Sequence, residues 1–289
     1  MLHYYPWQLM NAVLVFMLLP LKLLPDSRTK MKNKTLFLIT AVCLIFSSMV
    51  VHAKRERIVL CTDRSHWYPF VFINSYKSDG LYVDIIKDAA DRMDWRVSIR
   101  PMDWKKCLRR VESGQVDGVL GASYKKARAE FMHYPVNAGT NKKSPARLSS
   151  AEYVVVTSSK NSYVYQGDPK SLPQPIRVPR GYSIADDLRK NGVEVDDKSS
   201  RGDEVTLMKL TSSHEGSVVM LRSAAKKFSK SPAFKGKFTI QKKPYKSKDY
   251  YLAFSKQSGM DQAKRDALWQ AVGAVTSDED LIAEYTSKY

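Results

Sequence analysis

"GVLGASYKKARAEFMHYP" occupies residues 118–135. Its first half reads as a buried strand, with Val119 and Leu120 flanked by small residues. The strand then runs into Ser123, and Arg128 follows five residues later in a basic, helix-like turn that closes on Tyr134-Pro135. A hydroxyl and a guanidinium at the end of a buried strand fit two settings, a solvated loop or a grip on an anion. The second is the more specific, because a guanidinium offers a rigid fork of donors to a carboxylate and a hydroxyl adds one more.

The segments upstream give this strand its partners. "RIVLCTD" (57–63) reads as a strand. Gly80 precedes "LYVDIIKDAADRM", where Leu81, Ile85, Ala89 and Met93 share a helical face. "RVSIRP" alternates as a strand should, Asp103 stands as an N-cap for "WKKCLRRVES", and Gly114 follows as its stop. Strand, helix, strand, helix, strand predicts a parallel sheet with helices on its faces. A polar stretch, "NAGTNKKSPARLSS" (137–150), reads as a connection, after which a second set begins. There "EYVVVTSS", "PIRVP", "VEVDD", "GSVVML" and "DYYLAFSK" read as strands, with "FTIQKKPY" leading out. "SIADDLRKN", "DEVTLMKLTSS", "SAAKKFSK", "DQAKRDALWQAVGAV" and the tail "DEDLIAEYTSKY" read as helices. The expectation is an α/β chain of two similar lobes, with a ligand crevice at the carboxyl ends of the parallel strands.

"MKNKTLFLITAVCLIFSSMVVHA" (31–53) has the layout of a secretory signal peptide. Lys32 and Lys34 lead, an apolar run extends from Leu36 to Phe46, and Val51-His52-Ala53 precedes a cleavage point at Lys54. The run is shorter than the ~20 residues of a full membrane span, and Ser47 and Ser48 interrupt it. Residues 1–30 then read as an extension ahead of a true start at Met31, or as a membrane anchor. The 289 residues carry a net charge of +18. Five of the 47 Lys/Arg and one of the 29 Asp/Glu lie in 1–53, which leaves +14 for residues 54–289. An exported protein meets little nucleic acid, so this charge reads as a basic solvated surface, or as attraction to anionic ligands or a membrane surface. Cys61 and Cys107 remain after cleavage, and in an oxidising compartment they are expected to form one disulfide.

The order of these motifs resembles the type 2 periplasmic solute-binding proteins, specifically the family-3 group that serves polar amino-acid uptake. The resemblance covers nearly all of 57–289 and rests on "CTDRSHWYPF", "GLYVDIIKDAADRM", "DWKKCLRRVESGQVDGVLGASYKKAR", "YP" and "YYLAFSK". It implies a Venus-flytrap architecture closing on a ligand. Lobe 1 would be 54–138 with 246–289, lobe 2 would be 146–241, and 139–145 and 242–245 would be the hinge segments. It implies a periplasmic protein, a monomer without cofactor, that passes a small carboxylated solute to an inner-membrane ABC permease.

The same resemblance assigns residues. Ser123 and Arg128 would hold the ligand's carboxylate, although Ala127 and Lys125 depart from the family's usual Glu and Thr. Asp63 would meet an ammonium, and Trp67, with Tyr68 or Phe70, would pack on the ligand. Arg180, Gly181, Tyr182 and Ser183 stand at a helix N-terminus suited to an anion. Where amino-acid binders carry an Asp near the second lobe's buried strand, this chain has Ser217 and Arg222. With Arg128, Arg180 and Arg222 all in the cleft, the ligand would be more acidic than an ordinary amino acid. No phosphate loop, zinc spacing or nucleophile elbow is present, so an enzyme is not expected. Exported enzymes resembling cyclohexadienyl dehydratase share the fold, however, and would use Asp63 or Glu215 as general acid. A membrane-tethered sensing module is a third reading, if residues 1–53 stay attached.

Overall fold

A computed structural model of the chain describes residues 55–65 and 67–289. The signal-like segment 31–53, the extension before it and His66 lie outside the described residues.

The first lobe is built as its apolar pattern requires. Strand β1 (Arg57–Asp63) is followed by a small hairpin, β2 (Phe72–Asn74) and β3 (Lys77–Asp79). Helix α1 (Leu81–Asp91), strand β4 (Arg96–Met102), helix α2 (Trp104–Glu112) and strand β5 (Gly118–Ser123) complete the βαβαβ unit. β1 lies between β4 and β5 and is parallel to both. β5 is buried along its whole length, as a strand covered on both faces must be. α1 buries Leu81, Ile85 and Ala89, and each large aliphatic side chain buried in this way stabilises by roughly 1.5–3 kcal/mol. A single turn, α3 (Lys126–Ala129), and the short β6 (Met132–His133) follow. Cys61 on β1 and Cys107 on α2 form the disulfide, with Cα atoms 5.6 Å apart. Asp103 stands at the start of α2 but caps nothing with its side chain; it pairs instead with Arg64 at 2.7 Å.

The second lobe runs from β7 (Ser149–Ser158) through a 3₁₀ turn, β8 (Ile176–Arg177), α4 (Ile184–Lys190) and β9 (Val195–Asp196). It continues through α5 (Asp203–Ser213), β10 (Ser217–Leu221) and α6 (Arg222–Lys230). β10 is the buried strand of this lobe, antiparallel to β7 and parallel to β8. The strands expected at "PIRVP" and "VEVDD" shrink to two residues each at the sheet's far edge, where β9 pairs only with β8.

Both lobes share one nine-stranded sheet in the order β4-β1-β5-β11-β7-β10-β8-β9, with β6 also on β11. "FTIQKKPY" and "DYYLAFSK", expected as separate segments, form one 18-residue strand, β11 (Phe238–Ser255). The ladder with β7 slips on either side of Pro244, which has no N–H to give it. β11 pairs with β7 over 238–250 and with β5 over 250–254, so it carries the chain from one lobe's sheet to the other's. Helix α7 (Gln262–Thr276) then packs on α1, with Trp269 donating to the Leu252 carbonyl at 2.9 Å. α8 (Glu279–Ser287) ends the chain. No helix among the described residues is long and apolar enough to cross a membrane.

Candidate functional site

The carboxyl ends of β1 and β5 face the loop before α4. Together they line a small cavity with Thr62, Asp63, Trp67, Trp104, Leu120, Gly121, Ser123, Arg128, Tyr153, Tyr182, Ser183 and Tyr250. Gly121 is needed at its floor. Its φ of +84° is left-handed, and a Cβ there would stand 2.9 Å from the Trp67 ring.

Arg128 reaches this cavity from the single turn after β5 and is only 5% exposed. Its guanidinium donates to the Ser123 carbonyl at 3.1 Å, to the Ser123 hydroxyl at 3.4 Å and to the Gly181 carbonyl at 3.1 Å. It also lies 5.1 Å over the Trp104 ring. All these partners are neutral. Among the described residues no carboxylate lies within salt-bridge distance of Arg128. A buried cation without a counter-charge is costly, and an anionic ligand would supply the missing charge.

Ser183 occupies the position before α4 but does not cap the helix; its hydroxyl meets that of Ser123 at 2.6 Å. The first turn of α4 is supplied with its own acids, Asp186 and Asp187, and these pair with Lys125, Lys246 and Lys248. Tyr182 donates to Asp63 across the cleft at 2.9 Å, and the backbone N–H of Ser65 donates to the other oxygen at 3.0 Å. Trp104 Nε1 donates to the Gly181 carbonyl at 3.1 Å, and Ser65 Oγ to that of Arg201 at 3.0 Å. The lobes therefore meet through the same side chains that line the cavity. Only about 30 Å³ remains between them, room for a water or two. A larger guest must part the lobes or move Tyr182.

Two buried carboxyls lie above their ordinary range, Asp63 at the cavity and Asp203 outside its lining. Burial raises Asp63, the hydrogen bonds from Ser65 and Tyr182 offset part of that rise, and the charge of Asp103 adds to it. Asp203, the first residue of α5, is 4% exposed and is pushed up to about 7 by burial and by the charge of Asp63. Its Oδ1 has no hydrogen-bond partner, and neither does Trp67 Nε1.

The structure gathers Asp63, Trp67, Ser123, Arg128, Tyr182 and Ser183 around one cavity. It does not bring the remaining predicted residues there. Tyr68 stands outside, half-buried, with Lys227 4.1 Å over its ring. Arg180 is exposed and contributes its backbone N–H to Ser200. Arg222 pairs with Glu152 and donates to the Lys242 carbonyl at 2.8 Å, so the expected second anion grip is absent from the cavity. The reason is position: Arg222 opens α6, where Glu152 of β7 offers a nearer partner than the cleft. Glu215 is exposed and also outside. Trp104, Tyr153 and Tyr250 also line the cavity and were not expected there. Tyr250 lay in a quoted motif, "YYLAFSK".

Residues 58–278 match the bacterial extracellular solute-binding proteins, family 3. The chain belongs to this family. Its fold is the type 2 periplasmic-binding-protein fold. No curated protein matches the chain by sequence. Among solved structures, it is similar to a histidine kinase sensor domain with similarity to periplasmic binding proteins. That pair shares 16% identity and a TM-score of 0.66, over 81% of this chain and 96% of that one. It is also similar to ArtJ, the arginine-, lysine-, histidine-binding protein of Geobacillus stearothermophilus, at 17% identity and TM-score 0.65, over 81% and 95% of the two chains. A third is the substrate-binding protein of an amino acid ABC transporter, at 16% identity and TM-score 0.63, over 81% and 99%.

Proposed function

We propose that this solute-binding protein captures a small carboxylated solute in the periplasm, an amino acid or related organic acid, and presents it to an ABC-type importer. The observation that carries the reading is Arg128, a buried guanidinium at the cleft with only neutral partners. A carboxylate entering between the lobes takes the place of the Gly181 carbonyl, and Ser123 adds its hydroxyl. Asp63 meets an ammonium where the Tyr182 hydroxyl now sits. Segments 139–145 and 242–245 would serve as the hinge, the second lying within β11, which pairs with β7 of one lobe and β5 of the other. The similar ABC substrate-binding protein supports delivery to an importer, and residues 31–53 read as the export signal.

The likeness to a kinase sensor domain favours a second reading, a tethered sensing lobe with the same cleft. A thermal-shift screen against amino and carboxylic acids tests the binding. A ligand at 100 times its dissociation constant stabilises by about 2.7 kcal/mol, and no shift with any carboxylate overturns the proposal. The mass of the exported product separates free carrier from tethered sensor.

A further inference from the structure

The positive charge of residues 54–289 is concentrated in one place. Residues 216–248 hold ten lysines and arginines and no acid, so they supply +10 of the net +14 and leave +4 for all the rest. Clustered like charges repel one another, and such a concentration calls for a counter-charge. Three of the ten find one within the fold: Arg222 pairs with Glu152, and Lys246 and Lys248 pair with Asp187. Lys227 lies 4.1 Å over the Tyr68 ring, and Lys243 donates to the Gln166 carbonyl. Lys226, Lys230, Lys235, Lys237 and Lys242 are exposed and form no ion pair among the described residues.

The fold gathers four of these five on one outward-facing unit. α6 buries Ala224 and Ala225, which leaves Lys226 and Lys230, one helical turn apart, facing solvent. Phe228 of α6 packs on Phe234, and Phe234 packs on Phe238 at the start of β11, with ring centroids 5.5 and 6.4 Å apart. These rings tie the turn 231–237 to the helix. Lys235 and Lys237 stand on that turn, on either side of Gly236, where an added Cβ would meet nothing within 4 Å. The tip is therefore open to a partner.

We propose that Lys226, Lys230, Lys235 and Lys237 form a docking surface for an anionic phospholipid bilayer, so that the second lobe holds the protein electrostatically at a membrane surface. The proposal is independent of which solute the cleft takes. The choice of a bilayer over an acidic protein follows from the residue type. All four are lysines, compact charges on flexible stems, whereas the one arginine of the stretch is engaged with Glu152. A folded partner offers carboxylates at fixed places, and meeting them would immobilise four long side chains at an entropic cost. Lipid headgroups diffuse to the lysines instead, and each lysine near such a surface strengthens attachment about fivefold. None of the large exposed apolar side chains of the described residues lies in 222–237, so the attachment is electrostatic and reversible by salt.

The test is co-sedimentation with vesicles of residues 55–289, a compact unit of their own that holds the hydrophobic core described above. At about 0.05 M salt, vesicles of about 30% phosphatidylglycerol in phosphatidylcholine should bind the protein at least about 100-fold better than pure phosphatidylcholine. Raising the salt to about 0.5 M should abolish the difference. This readout needs no variant. Lys226→Glu, Lys230→Glu, Lys235→Glu and Lys237→Glu together should lower binding to the anionic vesicles at least about 100-fold. All four side chains are exposed, so the melting temperature should stay near that of the wild type, and Gln at the same four sites should give an intermediate loss. A control reverses four exposed cations of the first lobe, Lys77, Lys87, Lys106 and Arg109, to Glu. It changes the net charge by the same amount and should cost less than about tenfold, because these charges lie away from the docking surface. Equal binding to neutral and anionic vesicles, a control variant that loses as much as the cluster variant, or capture of an acidic protein without vesicle binding overturns the proposal.

Discussion

Replacing Arg128 by Met separates a residue that holds ligand from one that holds the fold. Met can follow the stem of the arginine and fill its volume without a charge. The acceptors it abandons are not orphaned. The Ser123 carbonyl also accepts from Tyr134 at 3.0 Å, the Gly181 carbonyl also accepts from Trp104 at 3.1 Å, and the Ser123 hydroxyl keeps Ser183 at 2.6 Å. The variant loses hydrogen bonds worth roughly 1.5–3 kcal/mol each, but it also escapes a desolvation cost of several kcal/mol for a buried ion without a counter-charge. The two nearly cancel, so the ligand-free protein should change by less than about 2 kcal/mol, or some 4–8 °C in Tm at this size. Binding should fall by at least about 2 kcal/mol, roughly 30-fold. At a concentration 100 times the wild-type dissociation constant, stabilisation by ligand then drops from about 2.7 to about 0.9 kcal/mol. Paired thermal melts with and without the strongest carboxylate from the screen read both numbers. A ligand-free loss above about 4 kcal/mol would show that Arg128 is a strut between the lobes, and an undiminished ligand shift would show that it does not touch the solute.

Three further outcomes follow from the same contacts. The Cys61–Cys107 bond closes a span of 46 residues, so replacing both by Ala should cost about 4 kcal/mol in the chain-entropy model, visible as a Tm roughly 10 °C lower. Asp203 has a carboxyl raised to about 7, so the native state binds more protons than the unfolded chain between the ordinary Asp range and neutrality. Its contribution to stability is greatest below about pH 4 and falls as pH rises to about 7, by on the order of 4 kcal/mol, and urea titrations should show this decline flattened in Asp203→Asn relative to wild type. Arg222→Ala breaks a partly exposed pair with Glu152, so it should cost under about 1 kcal/mol and leave ligand affinity within about twofold; a large affinity loss would put Arg222 back in the cleft.

Much of this protein is legible along the chain because it depends on local pattern. The helical spacing of Leu81, Ile85 and Ala89, the unbroken apolar run of β5 and the alternation of strand with helix dictate the parallel unit, and with it the place where Ser123 and Arg128 must emerge. Cys61 and Cys107 were the only cysteines after residue 53, which made their pairing legible along the chain. The long strand β11 was harder to read, since Pro244 and the lysines around it look like a break. Pairing with β7 on both sides of the proline carries the strand through.

What only the tertiary structure decided is which charges share one space. Arg128, Arg180 and Arg222 are alike in sequence, yet a buried turn holds the first in the cavity, exposure releases the second and Glu152 captures the third. Asp203 reads as an ordinary first residue of a helix, and only the fold buries it, with its Oδ1 unpartnered. Charge counted along the chain makes the cleft look anion-seeking. Coulomb interactions act through distance and burial rather than sequence separation, and by that measure the cavity holds one arginine, Arg128, and one carboxyl, Asp63.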